Sequence, residues 1–239
     1  MTEKKEVFAS SSKKFVAVVT IAIVTFAFAA CGSDNSKIPD NEIKVKRCND
    51  GKVGYSHNGK EIIKCKFDDA ESFRDGFGKV KLNGKFGLID KNGKEITPII
   101  YEQISPFKEG ENLARVQAGR KWGFIDRTGK EVIPTKFEDF GLGGFKDGLI
   151  PAQLNGKWGF IDQAGKEVIP FKYDNANHFS EGLAGVYLDG KGGYIDPSGK
   201  VVIPFEYGMV SDFENGRAMV GLGRGYVYLD KNGNQIGKP

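Results

Sequence analysis

The sequence predicts an all-β protein made of tandem repeats, on three observations. A motif of lysine, a large residue and glycine recurs at near-constant spacing, and strand-like alternation of period two precedes it. Beyond residue 31 no window carries an apolar period of 3.6 residues. The motif opens at Lys52, Lys85, Lys121, Lys157, Lys191 and, in a degenerate sixth copy, Arg224, at intervals of 33, 36, 36, 34 and 33 residues. The 33 glycines among 239 residues therefore belong to a period, not to a low-complexity chain.

The N-terminal segment reads as an address. Lys4, Lys5, Lys13 and Lys14 outnumber Glu3 and Glu6, and the stretch 15–30 is uncharged. As a helix rising ~1.5 Å per residue it spans roughly 24 Å, short of a hydrocarbon core of ~30 Å. That favours a signal peptide over the alternative, a permanent anchor. Phe28-Ala29-Ala30-Cys31-Gly32 resembles the lipobox of bacterial lipoproteins, departing from it at Phe28. The resemblance implies cleavage after residue 30, lipid on Cys31, and a lipid-anchored place in the bacterial cell envelope, at the outer membrane or cell surface. Residues 31–43 read as a flexible tether, and 44–239 as the repeat domain. Removing four lysines and two glutamates takes the net charge from +4 to +2, too small for the basic footprint of a nucleic-acid binder.

Within a repeat each position has a physical task. A strand comes first, as in Ala114, Val116 and Ala118 alternating with Arg115 and Gln117. The motif strand follows and ends in Asp-x-x-Gly, as in Asp126–Gly129 and Asp162–Gly165. There the Asp carboxylate accepts backbone amides and Gly takes a left-handed conformation. Lys-Glu-Val-Ile-Pro, complete at Lys130–Pro134 and Lys166–Pro170, returns as the third strand of a hairpin with a bulge. Pro98, Pro134, Pro170 and Pro204 lack an amide donor and so belong at strand ends or edges. An aromatic (Phe67, Tyr101, Phe137, Tyr173, Tyr207) and a Phe (Phe73, Phe107, Phe145, Phe179, Phe213) complete the unit. About three short antiparallel strands per repeat give either an open hairpin array or a small β-propeller with three-stranded blades. The 33–36-residue period is short for a propeller blade, which favours the array.

Lys-Trp-Gly-Phe-Ile-Asp at 121–126 and 157–162 resembles the WG, or KWG, repeat of bacterial proteins, over roughly residues 44–236. Val53, Phe86 and Gly192 replace the Trp in outer copies, as terminal repeats that cap an array do.

Chemistry-bearing residues are few. The Asp series reads as turns or as a calcium ladder. Glu138 with Asp139, or Asp68 with Asp69, are adjacent in sequence and so face opposite sides of a strand. His57 and His178 are isolated, and no nucleophile setting or phosphate loop is present, so the chain reads as no enzyme and implies no cofactor. Cys48 and Cys65, both in the first repeat, suit a disulfide in an oxidising compartment, with two buried hydrophobes as the alternative. The function expected is a membrane-tethered scaffold binding a protein or envelope polymer. The alternative is a glycan-binding or cell-wall-binding module with Trp122, Phe124, Trp158, Phe160 and Tyr194 as stacking platforms.

Overall fold

The computed structural model of the chain describes residues 34–107 and 111–237. The signal segment 1–30 and Cys31 lie outside them. Among the described residues there is no α-helix, and no helix long and apolar enough to cross a membrane.

The strands form six antiparallel sheets in chain order. Sheet 1 holds β1 (Lys44–Arg47), β2 (Val53–His57) and β3 (Lys60–Phe67); sheet 2 holds β4 (Asp69–Ala70), β5 (Gly78–Leu82) and β6 (Lys85–Ile89). Sheet 3 comprises β7 (Gln103–Ile104), β8 (Leu113–Ala118), β9 (Lys121–Asp126) and β10 (Glu131–Phe137). Sheet 4 repeats that order with β11 (Asp139–Phe140), β12 (Leu149–Leu154), β13 (Lys157–Asp162) and β14 (Glu167–Tyr173). Sheet 5 has β15 (Asn175–Ser180), β16 (Leu183–Leu188), β17 (Lys191–Ile195) and β18 (Val201–Tyr207). Sheet 6 has β19 (Met209–Val210), β20 (Arg217–Leu222), β21 (Gly225–Asp230) and β22 (Gln235–Gly237). The strand absent from the sequence reading is the first of each sheet from sheet 2 onward. It is mostly two residues long, too short to display a period.

The Asp-x-x-Gly turns are built as the residues dictate. Asp162 Oδ1 accepts the amides of Ala164 and Lys166, each at 2.9 Å, and Gly165 sits at φ +78°. In the shorter first copy Asn58 and Gly59 both have positive φ, so a two-residue primed turn closes the hairpin.

A bulge in the returning strand shapes every interior repeat. Trp122 pairs with Phe137 and Phe124 with Ile133, so two steps along β9 face four along β10. The extra residues include Pro134, whose missing donor costs nothing there. The bulged backbone is pushed against the motif glycine. A Cβ on Gly159 would lie 2.7 Å from the Ile169 carbonyl oxygen, and one on Gly193 2.7 Å from that of Ile203. At Gly54 and Gly123 the approach to the Ile63 and Ile133 carbonyls is closer still.

Each sheet has a forward and a backward apolar face, and neighbouring sheets share a core. Ala114, Val116 and Ile125 of sheet 3 pack backward with Leu88 and Tyr101 of sheet 2, while Phe124 packs forward with Phe140, Ile150 and Ile161 of sheet 4. The same arrangement joins sheets 1 and 2, 4 and 5, and 5 and 6. Among the described residues no core cluster joins the first sheet to the last, and the array is open. Burying one ring such as Phe160 contributes on the order of 2 kcal/mol. At the open start, the face of sheet 1 turned away from sheet 2 carries Lys44, Lys46 and Ser56 where sheet 3 carries Ala114, Val116 and Ile125. That substitution keeps the first face wet.

Two readings need correction. Residues 34–43, expected as flexible tether, dock on the repeats: the Asn35 amide donates to Asn92, Lys91 Nζ reaches the Ile38 carbonyl, and Asp40 accepts the Gly76 amide. Ile43 is 1 % exposed, in the core shared by sheets 1 and 2. The apolar Ile38 and Ile43 within a polar stretch explain the docking. The sixth copy is also offset by one residue. Gly225 pairs with Leu222 as Lys121 pairs with Ala118, so Tyr226 occupies the Trp position and Val227 the glycine position.

The motif lysine ties consecutive repeats. Lys52, Lys121 and Lys157 pair with Asp68, Glu138 and Asp174 at 2.6, 2.5 and 2.7 Å, and Lys85 pairs with Glu102. Asp68 also accepts the Asn83 amide and Asp174 the Gly190 amide, so each of these acids holds the next repeat's hairpin turn. The lysine hydrogen bond is the leading cause that holds all four carboxyls below their ordinary range.

Two outcomes follow from this packing. Gly159→Ala is expected to destabilise the protein by about 1–3 kcal/mol in urea unfolding, as overpacking does, whereas Gly225→Ala, with nothing within 4 Å of its Cβ, is expected to be near neutral. The depressed carboxyls contribute stability above the unfolded-state pKa near 4, and that contribution is lost as pH falls through the lower folded value. Asp174→Asn is therefore expected to flatten the acid limb of a stability-versus-pH curve below pH 4 and to leave its slope above pH 6 unchanged.

Candidate functional site

The residues singled out as stacking platforms divide. Phe124, Phe160 and Tyr194 are at most 5 % exposed and belong to the shared core, against the glycan-binding alternative that would make them exposed platforms. They point forward from the motif strand into the next repeat, and a ring buried edge-on against another has no free face. Trp122 and Trp158 are half-buried. The Arg115 guanidinium lies 4.2 Å from the Trp122 ring centroid and donates to Asp139 at 2.8 Å.

The remaining candidates are spoken for. Asp139 serves Arg115 and Glu138 serves Lys121, so these neighbours do not meet as an acid–base pair. His57 contacts Glu42 at 3.0 Å. Both ring nitrogens of His178 are buried without a hydrogen-bond partner, and burial lowers its pKa. Cys48 and Cys65 are joined in a disulfide closing the first repeat across a separation of 17 residues. Among the described residues, Cys48, Glu61 and Cys65 form the one group of metal-ligand type, and their sulfurs are bonded to each other. The turn aspartates spend Oδ1 on backbone amides, as at Asp126 and Asp230, and do not converge.

One cleft departs from the repeat, a cavity of about 790 Å³ among sheets 1, 2 and 3. In four repeats the residue after the motif glycine is aromatic and meets the recurrent Phe of the next unit. Ring centroids are 4.8 Å apart for Tyr55–Phe73, 5.5 Å for Phe124–Phe145, and 4.9 Å for both Phe160–Phe179 and Tyr194–Phe213. In sheet 2 that residue is Leu88, and both Leu88 and its expected partner Phe107 line the cleft. Leu88 and Phe107 are both buried in one core cluster there. Phe107 instead leans on Phe77 at 5.2 Å.

The rim is charged. Arg47 and Arg74 both line it, and neither guanidinium makes an ion pair or side-chain hydrogen bond among the described residues. Lys79 is held by Glu71 at 2.7 Å and its ammonium sits over the Phe86 ring. It occupies the register position of Arg115 but reaches back into its own sheet, leaving the space ahead open. Arg47 stands where later repeats have Lys81, Gln117, Gln153, Tyr187 and Gly221. Sequence reading missed this cleft. The one available signal was Leu88 breaking a series of aromatics.

The sequence matches the family described as "WG containing repeat" five times in tandem, over residues 55–86, 86–122, 122–158, 158–191 and 193–226. The chain belongs to the WG-containing repeat family. Trp122 and Trp158, the W of the two copies that keep it, are half-buried, and the G is the residue facing the bulge. None of the curated proteins matches the sequence. Among solved structures, a Kluyveromyces lactis Hsv2 variant with loop 6CD replaced by a Gly-Ser linker is similar at 12 % identity, covering 80 % of this chain and 75 % of that one, with a TM-score of 0.41. A eukaryotic initiation factor is similar at 10 % identity over 83 % and 62 %, TM-score 0.41. The extracellular domain of a two-component system from B. thetaiotaomicron is similar at 11 % identity over 82 % and 35 %, TM-score 0.37.

The covering of Trp122 by Arg115 has a readout. Arg115→Ala is expected to increase acrylamide quenching of tryptophan fluorescence and shift the emission to longer wavelength, with Trp158 as constant background. An unchanged spectrum would mean the guanidinium does not shield the ring.

Proposed function

We propose that this WG-repeat chain is a non-enzymatic scaffold, tethered by lipid on Cys31 in the bacterial cell envelope, that binds a protein partner. The observation that carries the reading is where the recurrent residues go. The motif glycine serves the bulge, the aspartate the turn, the lysine the inter-repeat ion pair, and the isoleucine and aromatics the shared cores. What is left for a partner is the surface where repeats differ, and the cleft beside Leu88 is its deepest expression. Catalysis requires a nucleophile or base with an orienting partner in reach, and the carboxylates and histidines described above are engaged or isolated. The burial of Phe124, Phe160 and Tyr194 removes the support that exposed rings would lend to a glycan-binding module.

The tether sets a geometry. Cys31 is three residues from Asp34, where the described domain begins. At ~3.8 Å per Cα step, lipid on Cys31 places the domain start within about 11 Å of the acylated residue.

The test is made in the intact cell. Wild type is expected to take up labelled palmitate and sediment with membranes, and Cys31→Ser is expected to lose both. Hydrolysis of an envelope polysaccharide or peptide by the purified protein, abolished by changing one carboxylate, would replace the scaffold reading with an enzyme.

A further inference from the structure

We infer that the free edge of β1 is a docking site for an acidic, extended segment of a partner protein, which adds to sheet 1 as its missing strand. The inference rests on the scaffold reading and names the segment bound and how it is held.

Sheets 2 to 6 each open with a strand that sheet 1 lacks. A recurrent pair of backbone hydrogen bonds holds that strand to the second one. In sheet 2 the amides of Asp68 and Glu71 donate to the Lys81 and Lys79 carbonyls, and in sheet 3 those of Glu102 and Ser105 donate to Gln117 and Arg115. In sheet 4 Glu138 and Gly141 donate to Gln153 and Pro151, and in sheet 6 Gly208 and Ser211 donate to Gly221 and Met219. Register puts Arg47 and Val45 at the matching positions of β1. Among the described residues their carbonyls meet no such donor. Alternation along an antiparallel strand turns the amides of the same two residues to that edge. Such an edge is a template for one more strand. The cleft borders it: Val45 and Arg47 line the cavity together with Ala70, at the end of β4, and Glu71 and Ser72 after it.

The edge is fixed in place at both ends. Ile43, just before β1, is buried in the core of sheets 1 and 2, and the Cys48–Cys65 disulfide ties the residue after β1 to β3. An incoming strand meets an edge already formed, which lowers the ordering cost of binding.

The charge of the edge selects the occupant. β1 reads Lys44-Val45-Lys46-Arg47, three cations in four residues. Like charges directly opposite destabilise a strand pair, so β1 repels a second copy of itself and favours carboxylates. The array holds a precedent. The second strand of sheet 2, β5, carries Lys79 and Lys81, and the segment covering it reads Asp68-Asp69-Ala70-Glu71. There Asp69 lies opposite Lys81, and Glu71 pairs with Lys79 at 2.7 Å. The second strand of sheet 5, β16, carries no charge, and neither does an acid appear in β15 that covers it. In the register of sheet 2, an acid on the bound strand lies opposite Arg47 and the next residue opposite Lys46. Arg47 is exposed and makes no ion pair among the described residues, so its donor fork is open to that carboxylate.

The probe is a fluorescein-labelled Asp-Asp-Ala-Glu-Ser peptide, the sequence of residues 68–72, titrated by anisotropy into the purified full chain. A Lys-Lys-Ala-Lys-Ser peptide is expected to bind at least tenfold more weakly. The same loss is expected on N-methylation at the peptide's Glu, whose counterpart in sheet 2 donates its amide to the second strand. N-methylation at the Ser, whose counterpart makes no amide hydrogen bond among the described residues, is expected to change affinity less than about twofold. Arg47→Glu is expected to weaken binding at least tenfold without shifting the thermal midpoint, and Arg224→Glu, at the opposite end of the array, to leave binding unchanged. Bound peptide is expected to slow amide hydrogen exchange at Val45 and Arg47. Equal affinity for the Lys peptide, indifference to Arg47→Glu or to N-methylation at Glu, or unchanged exchange at Val45 and Arg47 would each overturn the proposal. A concentration-dependent dimer of the chain alone, dissociated by Arg47→Glu, would assign the edge to a second copy and overturn it as well. If no peptide binds while the envelope-bound protein still crosslinks to a protein partner, this docking mode is overturned and the scaffold reading stands.

Discussion

The fold depends on one close approach, between the motif glycine and the bulged backbone of the neighbouring strand. The bulge lets two residues of one strand face four of the next, which bends the sheet and swings the following aromatic, such as Phe137 or Tyr173, back onto the core. The bend requires backbone-to-backbone contact at distances no Cβ permits. Glycine is therefore needed for space and not for its torsion angle, unlike the turn glycine Gly165 with its positive φ.

Stacking these bent sheets yields an array whose stability is local, each repeat answering to its two neighbours. Two devices reinforce the junctions. The core carries the larger share, since each forward ring is buried by the next unit. The lysine–carboxylate pairs are largely solvent-exposed and individually worth little, but Asp68 and Asp174 also hold a hairpin turn of the following repeat, so these pairs contribute register more than energy. The first repeat lacks a predecessor and compensates in three ways: polar residues on its outer face, the Cys48–Cys65 link, and the docked segment 34–43. Closing a loop of that length is worth roughly 3 kcal/mol in the chain-entropy model.

Function enters where the pattern lapses. A repeat in which every position is structural offers little specific chemistry, and variation at one interior position changes the surface without unfolding the whole. Leu88 stands in place of an aromatic at one wall of the cleft, and Arg47 and Arg74 line its rim. The cleft draws residues from three sheets, so its parts are distant in sequence and adjacent only after stacking.

By itself the sequence determined the all-β repeat architecture, the turn chemistry at Asp126–Gly129 and its equivalents, and the inward positions of the strands. Those properties arise from interactions within one repeat length, which periodicity records directly. The ion pairs were also written there, in acids 16 or 17 residues after the motif lysine, though alternation gave no reason to look for them. Tertiary structure alone decided the two-residue inner strands, the one-residue offset of the last copy, the docking of residues 34–43, and the burial of Phe124, Phe160 and Tyr194. Each depends on which neighbour covers a given face. An aromatic on a strand has the same alternation whether the next repeat covers it or solvent does, and a void such as the one beside Leu88 exists only once both of its walls are in place.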